Sequence, residues 1–239
     1  APVSVTAENL VDILGTPKFM RNGIENEDPV GAVKGMAVTP WGGELLDIEV
    51  AVVPGSGKLI LTGRLGDWLK ESAQAAFSYI RGRQRSLGLD PDFHEKYDFH
   101  IHYPGNSLKT DGPSAGIAMA TAMVSALTGH PVRKEIAMTG EISLRGRVLP
   151  IGGLKEKTLA AHRGGVTHVL LPSENGKDID DVPDSVRDKL EMTTVSHLDE
   201  VLSLALKPRD GQVLFHAMPK DAPGIDDVIS EELPSSSQH

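Results

Sequence analysis

The chain has 239 residues, 39% of them hydrophobic and 24% charged, and its 24 basic and 33 acidic side chains leave a net charge of −9 with no cysteine. A chain of this length can bury roughly 70% of the surface it exposes when unfolded, so it folds without staples. The acidic balance argues against nucleic acid or an anionic membrane as the main partner. The missing cysteines exclude a disulfide, a thiolate nucleophile and a Cys-ligated metal, which fits a cytosolic protein. No stretch approaches the roughly 20 apolar residues that span a bilayer, and no charged start precedes an apolar signal core, so a soluble, untargeted chain is expected.

In chain order, Thr6 followed by Leu10, Val11, Ile13 and Leu14 reads as a short capped helix stopped by Gly15 and Pro17. Short apolar runs at Gly35 to Val38, Leu45 to Val53 and Lys58 to Leu61, parted by turn residues, predict a meander of strands. Leu65, Trp68, Leu69, Ala73, Ala76, Phe77 and Ile80 recur at helical spacing, which predicts an amphipathic helix over Leu65 to Leu87. Asp98 to Tyr103 alternates as a strand, and Ser114 to Leu127 reads as a buried small-residue helix ended by Gly129 and Pro131. Strands are expected at Ile136 to Thr139 and Arg147 to Leu149, a helix at Leu154 to Arg163 and a strand at Val166 to Leu171. Helices at Val182 to Lys189 and Leu198 to Leu206 flank a strand near Met192 to Val195. The pattern predicts an α+β domain of mixed sheets with packed helices. Beyond Lys207 the prolines, acidic pairs and terminal serines have a mobile tail's composition.

Gly112-Pro113-Ser114-Ala115-Gly116 places a serine at the first turn of the buried helix, where unpaired N–H groups and the positive dipole end suit a tetrahedral oxyanion. The plain alternative is a helix cap. The same residues fit the nucleophile elbow of α/β-hydrolases, with His162, His168 or His197 as downstream partner. An elbow, however, joins its strand directly to the helix, and here a polar loop intervenes. A lysine can replace histidine as base if it is held neutral. Bringing its pKa from about 10.4 to about 7.5 requires roughly 4 kcal/mol of differential stabilisation, which only a well-packed site supplies. Lys155 and Lys157, two residues apart on one helix, point in nearly opposite directions, so one can face inward.

Thr110-Asp111-Gly112-Pro113-Ser114-Ala115-Gly116, Thr139-Gly140-Glu141 and Gly152-Gly153-Leu154-Lys155-Glu156-Lys157 stand together in order, and in this the chain resembles the proteolytic domain of bacterial A-type Lon proteases from about Thr16 to Leu206. The resemblance implies the Lon proteolytic-domain fold (ribosomal protein S5 domain 2-like) over residues 18–207, with 1–17 a linker or remnant of the ATPase small subdomain and 208–239 a flexible tail. It implies a serine endopeptidase in which Ser114 is the nucleophile and Lys157 the general base. Thr139 would hydrogen-bond the lysine, Asp111 and Gly112 would shape the oxyanion region, and Glu141 matches an acidic position whose plain reading is a structural carboxylate. Trp41 could line a peptide groove or lie in the core.

The resemblance also implies unfolded polypeptide substrates, a homo-oligomeric, hexameric ring, a bacterial cytoplasmic setting and an ATPase motor that precedes this domain. ATP and magnesium would belong to that motor, and no cofactor is expected in this chain. No nucleic-acid or membrane partner is expected. His100 and His102 share a strand face, yet no third ligand is placed by spacing, so no metal is assigned. Gly55-Ser56-Gly57-Lys58 resembles the end of a phosphate-binding loop, but Val52 and Leu59 stand where a glycine and a hydroxyl residue are required; it reads as a turn. Two rivals are an α/β-hydrolase-type esterase using Ser114 with a histidine, and a catalytically silent ring-forming scaffold.

Overall fold

The computed structural model describes residues 4–6, 9–15, 27–63, 65–104, 112–209 and 211–216. Its centre is a seven-stranded sheet of order β3-β4-β2-β1-β5-β8-β9. β1 (Ala32–Thr39) and β2 (Gly42–Pro54) form an antiparallel hairpin, and β4 (Tyr97–His102) pairs antiparallel to β2. β3 (Leu59–Thr62) pairs parallel to β4, while β5 (Ile136–Met138), β8 (His168–Pro172) and β9 (Glu191–Val195) extend the sheet in parallel from β1. Every strand but β2 therefore runs the same way, and their C-terminal ends form one rim.

The expected meander holds for β1 and β2 only. β4 inserts between β2 and β3, because α2 (Asp67–Gly82) and the short α3 (Phe93–Lys96) carry the chain over the sheet before β4 enters. Local turn residues mark strand ends but do not choose the neighbour. The two-stranded β6 (Glu141–Ile142) and β7 (Val148–Leu149) stand apart, so the strand expected after the Gly146 turn pairs with β6 rather than joining the main sheet.

α2, α4 (Gly116–Thr128) and α7 (Leu198–Ala205) pack on one face, with Val33, Ile48, Phe99, Ile101, Met119, Met123 and Leu202 buried in the shared core. α5 (Leu154–Arg163) and α6 (Asp184–Arg187) cover the other face over Met36, Ala137, Val169 and Leu171. α6 is one turn long where a longer helix was expected; a nine-residue 3-10 segment, Ser173–Asp181, precedes it, and its buried Asn175 bonds both the N–H and the carbonyl of Ile151. α4 is buried nearly all round and ends at Gly129, whose φ of 72° and N–H bond to Ser125 O close the C-terminus.

At the N-terminus α1 (Leu10–Leu14) is shorter than expected. Asn9 precedes it, the N–H of Thr6 donates to Asn9 Oδ1, and Leu10, Val11, Ile13 and Leu14 are exposed. Part of the segment read as a mobile tail is docked: Leu214 and Phe215 pack against the core, and the N–H of His216 donates to Ser86 O at 2.6 Å. The short apolar run Val213-Leu214-Phe215 supplies the anchoring side chains, which the average composition of the tail conceals. Asp210 and residues 217–239 lie outside the described residues.

Candidate active site

The site sits on the rim formed by the strand C-termini, where open α/β sheets place their ligands. Ser114 occupies a 3-10 turn, Pro113–Ala115, that leads into α4, so it lies one turn ahead of the α-helix rather than capping it. Pro113 suits the first position because its missing N–H would have no partner there. Gly112 has φ 143°, a conformation side chains avoid, and lets the chain turn sharply into the serine.

The head of α4 is fastened to the corner after β5. Gly140 N donates to Ser114 O at 2.8 Å, Thr139 Oγ1 donates to the same oxygen at 3.2 Å, and Ile117 N donates back to Gly140 O at 3.1 Å. Gly116 must lack a side chain, since a Cβ would sit 2.8 Å from Ile142 N. On the other side, Ser72 Oγ of α2 donates to Pro113 O at 3.4 Å.

α5 delivers the lysine. Lys155 is exposed, whereas Lys157 is only 2% exposed, on the face that buries Leu154, Ala160 and Ala161. Its Nζ donates to Thr139 Oγ1 at 3.1 Å. Because that hydroxyl spends its own proton on Ser114 O, a continuous link runs from the Lys157 amine through Thr139 to the serine's main chain. Burial alone lowers the Lys157 pKa from 10.5 to about 8, since removing an ammonium from water disfavours the charged form. Among the described residues no hydrogen bond joins Ser114 Oγ to Lys157 Nζ.

The remaining candidates fall as follows. Asp111 lies outside the described residues. Glu141 is half-buried on β6, opposite Leu149. Trp41 is 83% exposed at the tip of the β1–β2 hairpin, which rules out the core alternative. That tip is clamped to α5: a Cβ on Gly43 would stand 1.9 Å from Glu156 O, and Arg163 Nη2 donates to Gly43 O at 2.7 Å. His168 bonds Thr193 Oγ1 and His197 bonds Arg145 O; among the described residues no histidine hydrogen-bonds Ser114. His100 and His102 both share the Thr62 hydroxyl at 2.7 Å. Gly55 to Lys58 is a turn whose Ser56 and Lys58 N–H groups donate to the Asp98 carboxylate, which lowers its pKa.

Ser72, Gly43 and Arg163 were not anticipated as site supports. Ser72 carried one readable signal, a hydroxyl among the apolar positions of an amphipathic helix; for the other two, contacts far apart in sequence decide.

A serine at the head of a buried helix thus has its backbone carbonyl tied, through the Thr139 hydroxyl, to a buried lysine. The family model of the Lon protease (S16) C-terminal proteolytic domain matches residues 4–208, and the chain belongs to that family. It is 62% identical over 204 residues to a Lon protease of Bacillus thuringiensis (strain Al Hakam), covering 85% of this chain and 26% of that protein. Identity to a Lon protease of Escherichia coli (strain K12) is 54% over 205 residues, 86% and 26% of the two chains. A Lon protease 1 of Syntrophobacter fumaroxidans (strain DSM 10017 / MPOB) is 47% identical over 235 residues, 98% of this chain and 29% of its own. The chain therefore spans about a quarter of the length of the curated relatives it matches. Among the described residues no helix is long and apolar enough to cross a membrane.

Proposed function

We propose that this chain is the proteolytic part of an ATP-dependent, Lon-type serine endopeptidase of the bacterial cytoplasm, with Ser114 as nucleophile and Lys157 as general base. The observation that carries the reading is the buried Lys157, bonded to Thr139 and through it to the backbone of Ser114. With a pKa of about 8, roughly one lysine in ten is neutral at neutral pH, against fewer than about one in a thousand for an ordinary lysine.

The neutral amine takes the Ser114 hydroxyl proton as Oγ adds to a peptide carbonyl. The resulting oxyanion accepts the Ser114 N–H at the helix head. The ammonium then gives its proton to the departing amine, which leaves an acyl-enzyme, and the regenerated amine activates water for the second half. Thr139 keeps the amine in place without adding a charge that would raise its pKa. Extended, unfolded polypeptide is the proposed substrate, threaded by a preceding ATPase motor into a ring of six copies; ATP and magnesium act at that motor. Trp41, exposed on the hairpin clamped to α5, is a proposed wall for the substrate, and Asp111, Gly112 and Glu141 are proposed to shape the serine's surroundings.

The test is hydrolysis of a fluorogenic unstructured peptide without ATP by the wild-type chain, Ser114→Ala and Lys157→Gln, with mass measured in the same buffer. Cleavage lost in both variants supports the dyad. Full activity in Lys157→Gln refutes the base assignment and restores the histidine-dependent esterase. An inert wild type of hexameric mass favours the silent scaffold.

A further inference from the structure

The buried face of α2 carries Leu69, Ala73, Ala76 and Ile80, and Ser72 stands among them at 7% exposure. A buried hydroxyl is retained at low cost only if it is bonded. Helical hydroxyls usually bond the carbonyl one turn back, as Thr121, Thr128 and Thr158 do here with Ile117, Val124 and Leu154. Ser72 instead donates outward, to Pro113 O on the serine turn.

The Pro113–Ser114 peptide is trans, so its carbonyl and its N–H point in opposite directions. Pro113 O also accepts Gly116 N–H, which closes the 3-10 turn itself; Ser72 is the donor that fixes this peptide against the body. The following peptide is held from the other side, by Gly140 N and Thr139 Oγ1 on Ser114 O. Ser114 is suspended between two fastened peptides, one tied to α2 and the other to the β5–β6 corner.

We infer that Ser72 is a positioning residue for the peptidase chemistry: by holding the Pro113 carbonyl toward α2 it aims the Ser114 N–H at the oxyanion. This rests on the peptidase reading above. When the oxyanion forms and accepts that N–H, the peptide polarises and its carbonyl becomes a better acceptor. The 3.4 Å Ser72 bond therefore tightens in the transition state, and its loss falls on kcat rather than KM.

The experiment compares the full wild-type chain with Ser72→Ala and Ser72→Thr, with Ser114→Ala as control. It reads kcat and KM on a fluorogenic peptide, the pH midpoint of kcat/KM, the melting temperature, and inhibition by a peptide boronate. In the boronate adduct Ser114 Oγ bonds to boron, its proton passes to Lys157, and a hydroxyl oxygen of the resulting tetrahedral boronate anion takes the oxyanion position. Removing an oxyanion donor outright slows enzymes by about a hundredfold or more, and Ser72→Ala, which only loosens one, is expected to lower kcat about tenfold with KM within about twofold. Boronate affinity should fall in proportion. The pH midpoint should stay put because Lys157 is untouched, and the melting temperature should change little because alanine's better helix propensity offsets the lost hydrogen bond. Ser72→Thr, which keeps the hydroxyl, should recover most of kcat.

Unchanged kcat in Ser72→Ala overturns the inference, as does a loss that follows a lowered melting temperature or that threonine does not repair. Activity surviving in Ser114→Ala, or an inert wild type, overturns the peptidase reading and this inference with it.

Discussion

Replacing the buried Lys157 should make the protein more stable at neutral pH, and Lys157→Met measures by how much. The depressed lysine titrates near pH 8 in the folded chain and at 10.5 when unfolded, so between those values the unfolded chain binds more protons and wild-type stability rises with pH. Below about pH 8 the full penalty applies, about 3 kcal/mol at 1.36 kcal/mol per unit. About 2 kcal/mol of it remains at pH 9 and less than about 1 kcal/mol at pH 10. Methionine fills similar volume without charge, at the loss of the Lys157–Thr139 bond, worth about 1 kcal/mol. The variant should therefore gain about 2 kcal/mol at neutral pH and nothing by about pH 10. Urea unfolding at both pH values, with equal slopes for the two proteins, reads the difference directly. A gain that is the same at both pH values, or a loss at neutral pH, would refute the claim that Lys157 is folded at a desolvation cost.

The activity of the wild type should rise nearly tenfold per pH unit below about pH 8 and level off above it, as the amine of Lys157 loses its proton; a profile with its midpoint near pH 6.5 would point to histidine instead. Thr139→Val, which keeps shape but severs both links of the hydroxyl, should lower kcat by about tenfold or more, with Thr139→Ser largely spared, in peptide assays run beside thermal melts. Gly43→Ala forces a Cβ to within 1.9 Å of Glu156 O and should destabilise by about 3 kcal/mol or more, seen as a lowered urea midpoint. The Tyr103 hydroxyl is buried with no partner among the described residues, so Tyr103→Phe should be neutral or raise stability by about 1 kcal/mol; a clear loss would mean the hydroxyl is satisfied.

Much of the fold could be read where periodicity is strong. α2, α5 and the β1–β2 hairpin fall close to their expected places because each buries one face with its own local pattern, and α4 because its unbroken run of small apolar residues is buried nearly all round. Reading failed where the deciding contact is distant. Pairing of β4 between β2 and β3 follows from how α2 lies over the sheet, which no turn residue encodes. The 3-10 run at Ser173–Asp181 is held by Asn175 bonding Ile151 across the chain, and its polar composition looks like any loop. The docked stretch 211–216 depends on Leu214 and Phe215, two residues of a short apolar run in a tail rich in prolines and acidic pairs.

The polar residues of the candidate site stand out in the sequence and their supports do not, and physics separates the two. Ser114, Thr139 and Lys157 are types that the proposed chemistry demands, so their motifs stand out, and the opposed directions of Lys155 and Lys157 allow one of them to face inward, as Lys157 does. Depressing an ammonium, however, takes burial, and α5 is buried against the sheet in a cluster that joins Leu154 and Ala161 to Met36 of β1, Leu45 of β2 and Ala137 of β5. Gly43 and Gly153 are where the packing on α5 closes in: the first lets the hairpin touch the backbone of Glu156, and the second, at φ 70°, lets Val38 press against the start of α5. Neither glycine touches the reaction, yet a methyl group on either would push α5 outward and let water reach Lys157. Rehydration would return the amine toward its ordinary pKa and leave it protonated at neutral pH. The clamp on α5 therefore governs the protonation of Lys157, and under the proposed mechanism the loss of activity in a folded Gly153→Ala chain should appear chiefly as an upward shift of the pH midpoint.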